Sequence, residues 1–124
     1  MADCVDEKEL DPLSKIKEVY DDGFAEINNN KYEFTVMTFA ERRSVFAYFS
    51  TIQNDVSVGN FGFLDTPKFK EIERIILSRI TLDGQSLSKG KIFDQEKYME
   101  DYLFLINIAL PVISYPFLKG NFGL

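Results

Sequence analysis

The longest stretch without a charged residue runs from Leu103 to Leu118, 16 residues near the end of a chain of 124. An apolar run of this kind must be covered by a protein core or by a partner. A membrane-spanning helix needs about 20 apolar residues, and this run is interrupted by Pro111 and Pro116, so we expect no transmembrane segment. Two interpretations stay open: a core helix that starts near Asp94 and is kinked at Pro111, and a surface for an oligomer or a partner.

The first residues of two further helices are recognisable. Thr38 and Glu41 have the spacing of a capping box, in which each side chain bonds to the backbone amide of the other residue. Asp65 or Thr66 caps the next helix, and Pro67 takes its first position, where the missing N–H costs nothing. The apolar stripes are Phe39, Phe46, Phe49 and Ile52, with Val45 and Tyr48 beside them, and then Phe69, Ile72, Ile75, Ile76 and Ile80. Residues 54–64 are predicted to be a loop.

Two hairpins are predicted from their turn residues. Residues 24–27 and 31–36 alternate between apolar and polar on either side of Asn28-Asn29-Asn30, and asparagine tolerates the left-handed conformation of tight turns. The residues expected on one face of the second strand are Tyr32, Phe34 and Val36. Asp83-Gly84 predicts a second, smaller hairpin. The predicted fold class is therefore mainly α (α+β), with three main helices, a short N-terminal β-hairpin and a small second hairpin.

The acidity of the chain is concentrated at its start. Residues 1–22 contain eight acids and three lysines, a net charge of −5, whereas the other 102 residues carry −1. We therefore expect an acidic, partly flexible arm at 1–22, a single helical domain at 23–118 and a C-terminal tail at 119–124. Within the arm, the spacing of Leu13, Ile16 and Val19 predicts only one or two amphipathic helical turns.

Charge and cysteine usage restrict the partners and the compartment. Lysines and arginines alternate with acids, so we expect no nucleic-acid binding, which needs clustered basic residues. Cys4 is the only cysteine and cannot form an internal disulfide, and residues 1–22 contain no apolar segment typical of a signal peptide. These features indicate a reducing, cytoplasmic setting.

Residues that would support catalysis are scarce. The chain has no histidine, which is the commonest general base and metal ligand. The S-x-x-K patterns at residues 14–17 and 88–91 lack the other motifs of that enzyme class. Glu96 and Glu100 have a spacing that a divalent ion could bridge, but acids also favour the first turn of a helix without any ion. We therefore predict no enzyme, no cofactor and no metal site, and a function in protein binding.

Three stretches resemble one protein family in their order and spacing. They are residues 32–39 (YEFTVMTF) running into Glu41-Arg42-Arg43, residues 63–67 (FLDTP) and residues 112–118 (VISYPFL). Together they resemble the tail assembly chaperones of tailed bacteriophages, or the related baseplate-hub assembly proteins, over about residues 31–118.

The resemblance implies a small, largely helical protein that acts in the host cytoplasm. Such chaperones coat the tape measure protein, help the tail-tube protein to polymerise around it, and are absent from the finished virion. A homo-oligomer stays open as well. The alternative is a permanent structural component of the particle, such as a head–tail connector or a baseplate subunit.

Apolar residues outside the helical stripes are the candidates for partner contact. They are Phe61, Phe63 and Leu64, in a glycine-containing loop, and Tyr115, Phe117 and Leu118, around Pro116. The alternative is that these residues fold back and close the core. For Arg42 and Arg43 we weigh a solvated helix flank against a salt bridge with a partner.

Overall fold

The computed structural model describes residues 12–88 and 90–122. Within them, helix α1 spans Pro12–Asp22, α2 Phe39–Ser57, α3 Pro67–Ser78 and α4 Glu96–Phe122, and strands β1 to β4 span Phe24–Ile27, Asn30–Phe34, Ile80–Leu82 and Gln85–Ser86. Short 3₁₀ turns occupy Gly62–Asp65 and Lys91–Asp94. Residues 1–11 of the predicted arm, with Cys4, and residues 123–124 of the predicted tail lie outside the described residues. The mainly helical fold class with a small antiparallel sheet is confirmed.

The four strands form a single antiparallel sheet in the order β1-β2-β3-β4. The hairpin turns lie at Asn28-Asn29 and Asp83-Gly84, and all four residues have positive φ angles between 50° and 81°. Two successive residues with positive φ match the twist of the adjoining strands, which is why Asn and Asp-Gly suit these turns. What the sequence did not predict is the pairing of β2 with β3, which places Phe34 opposite Ile80 and joins the two hairpins.

Both predicted helix starts are confirmed. The Glu41 amide donates to Thr38 Oγ1 at 3.1 Å and the Thr38 amide donates to Glu41 Oε1 at 3.0 Å, which completes the capping box. Thr66 Oγ1 accepts from the Phe69 amide at 3.3 Å. The start of the loop predicted at 54–64 was wrong, because α2 continues to Ser57. Its last turn is mostly polar, with Val56 as the one residue that packs against the core, so the sequence there looks like a loop.

Helix α4 is the central core helix. Most of its buried apolar residues lie in one cluster with α2 and α3: Leu105, Ile106, Ala109, Leu110 and Ile113. The helix begins at Glu96, two residues after Asp94, and continues through Pro111 and Pro116. By length and composition Glu96–Lys119 would suffice to cross a membrane, but half of its apolar window is buried inside this structure. The core helix of a soluble protein passes the same test.

Helix α1 lies on the outer side of α4. Val19 is buried against Ala25 and Val112, and the ring of Tyr20 lies 4.9 Å from that of Tyr115. The helix is 11 residues long, which is longer than the one or two turns expected from the sequence. Its packing therefore brings residues 12–22 into contact with the rest of the fold.

Two residues that were expected on apolar faces are exposed. Val36 is 88 % exposed, because β2 ends at Phe34 and the alternation of the strand no longer applies. Phe39 is 65 % exposed, because it is the first residue of α2 and precedes the part of the helix that meets the core. The buried stripe of α2 consists instead of Val45, Tyr48, Phe49 and Ile52. Ile80 was grouped with the stripe of α3, but it lies in β3 and is still fully buried.

Candidate protein-binding surface

The predicted contact residues between α2 and α3 take part in the core. Phe63 is buried, with its ring edge-on to Phe69 at 5.4 Å between centroids. Phe61 and Leu64 are half-buried and pack against the same cluster. This segment therefore agrees with the alternative interpretation, in which these residues fold back and close the core.

The second predicted group, around Pro116, is divided between core and surface. Tyr115 is buried beside Tyr20 of α1, whereas Phe117 and Leu118 are half-buried. The ring of Phe117 stacks on that of Phe46 at 4.9 Å, with 22° between the planes, and lies 6.2 Å from that of Phe39. Of the six candidates, Phe117 is therefore the one that belongs to an exposed aromatic group.

We call Phe39, Phe46 and Phe117 the aromatic patch. It joins the first two turns of α2 to the last part of α4, and Phe39 is its most exposed member. The guanidinium of Arg43 lies 5.2 Å from the centre of the Phe39 ring, which places a positive charge on the patch. Aromatic residues, phenylalanine included, and arginine are enriched at protein–protein interfaces. Sequence periodicity missed Phe39, because it assigned that residue to the buried stripe.

An open cleft of about 370 Å³ lies beside the C-terminal end of β2, between α1, α2 and α4. Its walls include buried apolar side chains from three elements, Val19, Met37, Val112 and Ile113. Val36 stands at its edge, and Arg42 lines it between α2 and α4. Arg42 Nη1 donates to the Ile113 carbonyl oxygen at 2.8 Å. We call this the Arg42 cleft; a volume of this size is within the range of ligand pockets.

The second arginine of the cleft, Arg79, is paired with a carboxylate. Its Nε and Nη2 donate to the two carboxylate oxygens of Glu41 at 3.0 and 2.9 Å. These bonds, together with the Thr38 amide, lower the pKa of Glu41, and the same pair raises the pKa of Arg79. The pair ties the start of α2 to the residue before β3, so it fixes one wall of the cleft.

No family model, curated protein or solved structure matches this chain. The resemblance to tail assembly chaperones therefore stays a prediction from the three sequence stretches.

A buried carboxylate that the sequence did not single out lies on the other side of α4. Asp101 is fully buried. It accepts hydrogen bonds from Asn28 Nδ2 at 2.6 Å, from Asn30 Nδ2 at 2.8 Å and from the hydroxyl of Tyr32 at 2.6 Å. The three donors come from the first hairpin, so Asp101 fastens that hairpin to α4.

The three donors also keep Asp101 ionised. Burial by itself raises the pKa of a carboxyl group, but here the hydrogen bonds from Tyr32, Asn30 and Asn28 outweigh it, and the pKa of Asp101 is lowered. The carboxylate is buried and both of its oxygens accept hydrogen bonds from the hairpin, so its contacts in this structure are structural. In residues 12–88 and 90–122, no group of three or more Cys, Asp or Glu side chains is placed to hold a metal ion.

Proposed function

We propose that this protein is a non-catalytic assembly chaperone of a tailed bacteriophage. It binds the tape measure protein in the host cytoplasm and assists the polymerisation of the tail-tube protein around it. The predicted architecture corresponds to α2, α3 and α4 with the two hairpins. The observation that carries the proposal is the aromatic patch: Phe39 is 65 % exposed, and its ring lies 6.2 Å from that of Phe117, which stacks on Phe46.

The patch suits a protein that holds an apolar helix for a limited time. Contiguous exposed apolar patches that are rimmed by polar residues are typical of interaction sites, and the three rings of the patch lie together. Rigid aromatic rings lose little conformational entropy when a partner covers them. The net charge of −6 keeps such a surface soluble while it is uncovered.

The test is a pull-down of the tagged protein from cells that express its neighbouring genes, read by mass spectrometry. Recovery of a long helical protein that is insoluble when expressed alone is the expected result. Recovery of tube or baseplate subunits in a fixed ratio, together with presence in purified particles, would instead make it a permanent structural component. Recovery of none of these proteins would refute both roles.

A matched pair of variants connects the result to the patch. Phe39→Ser removes the most exposed ring, and we expect it to reduce partner recovery about tenfold or more, as for a residue that dominates an interface. Phe104→Ser is the control, because Phe104 is 62 % exposed and lies 13 residues before Phe117 on α4, about 20 Å along the helix axis. Equal loss for both variants would show that the patch is not the binding site.

A further inference from the structure

Arg42 is the charged group of the cleft that has no acidic partner in the described part of the chain. The ion pairs found there connect Lys15 with Glu18, Lys17 with Asp21, Lys68 with Glu71, Lys70 with Asp65 and Arg79 with Glu41. Arg42 instead donates one hydrogen bond, from Nη1 to the Ile113 carbonyl. A guanidinium carries five donors in a planar fork that fits a carboxylate, so most of its donors remain for a ligand.

The other charges around the cleft do not supply that carboxylate. Glu41 is occupied by both donors of Arg79, and Asp21, at the rim, accepts from Lys17 at 2.6 Å. Further positive charge lies on the neighbouring surface, where Arg43 covers Phe39 and Lys119 lies 5.7 Å from the centre of the Tyr115 ring. Among the residues that the structure describes, Arg42 is therefore the cation of the cleft that is free to pair with an acidic group, on a protein whose net charge is −6.

The apolar side chains at the edge of the cleft indicate which kind of residue lies beside the carboxylate in the partner. Val36 is 88 % exposed at the edge, and Met37, Val112 and Ile113 form the buried wall behind it. The aromatic patch adjoins through α2, because Arg42 follows Phe39 by three residues and lies near it on the helix surface. An amphipathic helix that covers the patch and the cleft would place apolar residues on both and one acidic side chain between them.

We propose that the Arg42 cleft binds an aspartate or glutamate side chain on the apolar face of the partner helix, whose neighbouring residues cover Val36 and the aromatic patch. This deepens the proposed function and rests on it for the identity of the partner. The carboxylate forms a charge-assisted, bidentate pair with Arg42, which specifies the orientation of the helix as well as its affinity.

The probe is a fluorescein-labelled amphipathic peptide of about five helical turns, with leucines on one face and a single glutamate within it. A second peptide carries lysine at that position. Fluorescence anisotropy at low ionic strength should show the glutamate peptide binding about tenfold more tightly than the lysine peptide, equivalent to about 1.4 kcal/mol. The overall charge of the protein favours the opposite order, so equal binding or a preference for lysine would overturn the proposal.

Variants of the cleft locate the effect. Arg42→Glu should invert the preference between the two peptides, and Val36→Asp should weaken binding of the glutamate peptide about tenfold. Val36 makes no buried contact that folding requires, so this variant reports on binding even if Arg42→Glu unfolds the protein through loss of the bond to Ile113. Arg74→Gln is the control, because Arg74 is exposed on α3 outside the cleft. An unchanged affinity in Val36→Asp would refute the assignment.

The two proposals fail in different ways. If the glutamate preference is absent while the pull-down still recovers the tape measure protein, the cleft assignment is wrong and the chaperone function stands. If the preference is present but no tail protein is recovered, the cleft binds acidic helices of a different partner.

Discussion

Asp101→Asn is the substitution whose effect the structure predicts most directly. Asp101 Oδ2 accepts from both Tyr32 and Asn30, and Oδ1 accepts from Asn28. An asparagine retains one acceptor oxygen, so its best orientation keeps two of the three bonds and loses the one from Asn28. The two that remain change from charge-assisted to neutral hydrogen bonds, a loss of about 1 kcal/mol each, and the missing bond adds a similar amount. We therefore expect the free energy of unfolding to fall by about 3 kcal/mol.

The difference in unfolding free energy between wild type and Asp101→Asn must depend on pH, and the lowered pKa of Asp101 determines its direction. The folded state lowers the pKa of Asp101, and an aspartate in an unfolded chain has a pKa of about 3.9. The stabilisation by ionised Asp101 is therefore complete above about pH 5 and is lost as the pH falls through the unfolded pKa and then the lowered pKa of the folded state. The difference between wild type and Asp101→Asn should be constant from neutral pH down to about 5 and should shrink in acid.

Urea unfolding followed by circular dichroism at 222 nm is a suitable assay, because the fold is mainly helical. Tyr32→Phe and the double variant complete a thermodynamic cycle, and we expect a coupling energy of about 1 kcal/mol or more between the two residues. Asn28→Gly tests the hydrogen bond from Asn28 to Asp101 separately, since glycine accepts the positive φ of 50° at that position. A loss below about 0.5 kcal/mol for Asp101→Asn at neutral pH, or a difference that does not shrink in acid, would refute this reasoning.

Three further substitutions test other parts of the fold. Ser114 is fully buried and its hydroxyl has no hydrogen-bond partner among the described residues, so Ser114→Ala should raise the free energy of unfolding by about 1 kcal/mol in the same urea assay. Thr38→Ala removes the acceptor of the capping box and should lower it by about 1 kcal/mol, while a Thr38→Ser variant retains most of the stability. Leu110 is fully buried in the core cluster, so Leu110→Asp should abolish the cooperative thermal transition; a folded protein of smaller mass in light scattering would instead assign Leu110 to an oligomer surface.

Local features of the fold could be predicted because a few neighbouring residues determine them. The capping box needs only Thr38 and Glu41, the start of α3 needs Thr66 and Pro67, and the turn at Asp83-Gly84 needs two residues that accept positive φ. Each of these signals acts over at most four positions. The end of α2 was misjudged because polar residues in a solvent-facing helical turn have the same composition as a loop.

Features that depend on distant parts of the chain could not be predicted in this way. The exposure of Val36 follows from where the contacts between β2 and β3 end, and the last of them come from Thr35, whose amide and hydroxyl both donate to the Arg79 carbonyl. Arg79 lies 44 residues later, and no local pattern connects the two. The Asp101 network likewise spans about 70 residues. The three consecutive asparagines were a usable signal, since polar amides beside a buried strand require a polar partner.

These long-range contacts also position the candidate binding surface. The pairing of β2 with β3 brings Arg79 to the start of α2, where its bidentate bonds hold Glu41. Glu41 also completes the capping box. The Glu41–Arg79 pair therefore connects the sheet to the first turn of α2, from which Phe39 and Arg42 project. The position of the aromatic patch relative to the cleft is therefore set by the sheet. It follows that Glu41→Gln should change the free energy of unfolding by about 1 kcal/mol or less, because the pair is partly exposed and glutamine also suits a capping box. The same substitution releases Arg79, which lines the cleft, and should therefore strengthen binding of the glutamate peptide in the anisotropy assay; weaker binding would contradict the argument.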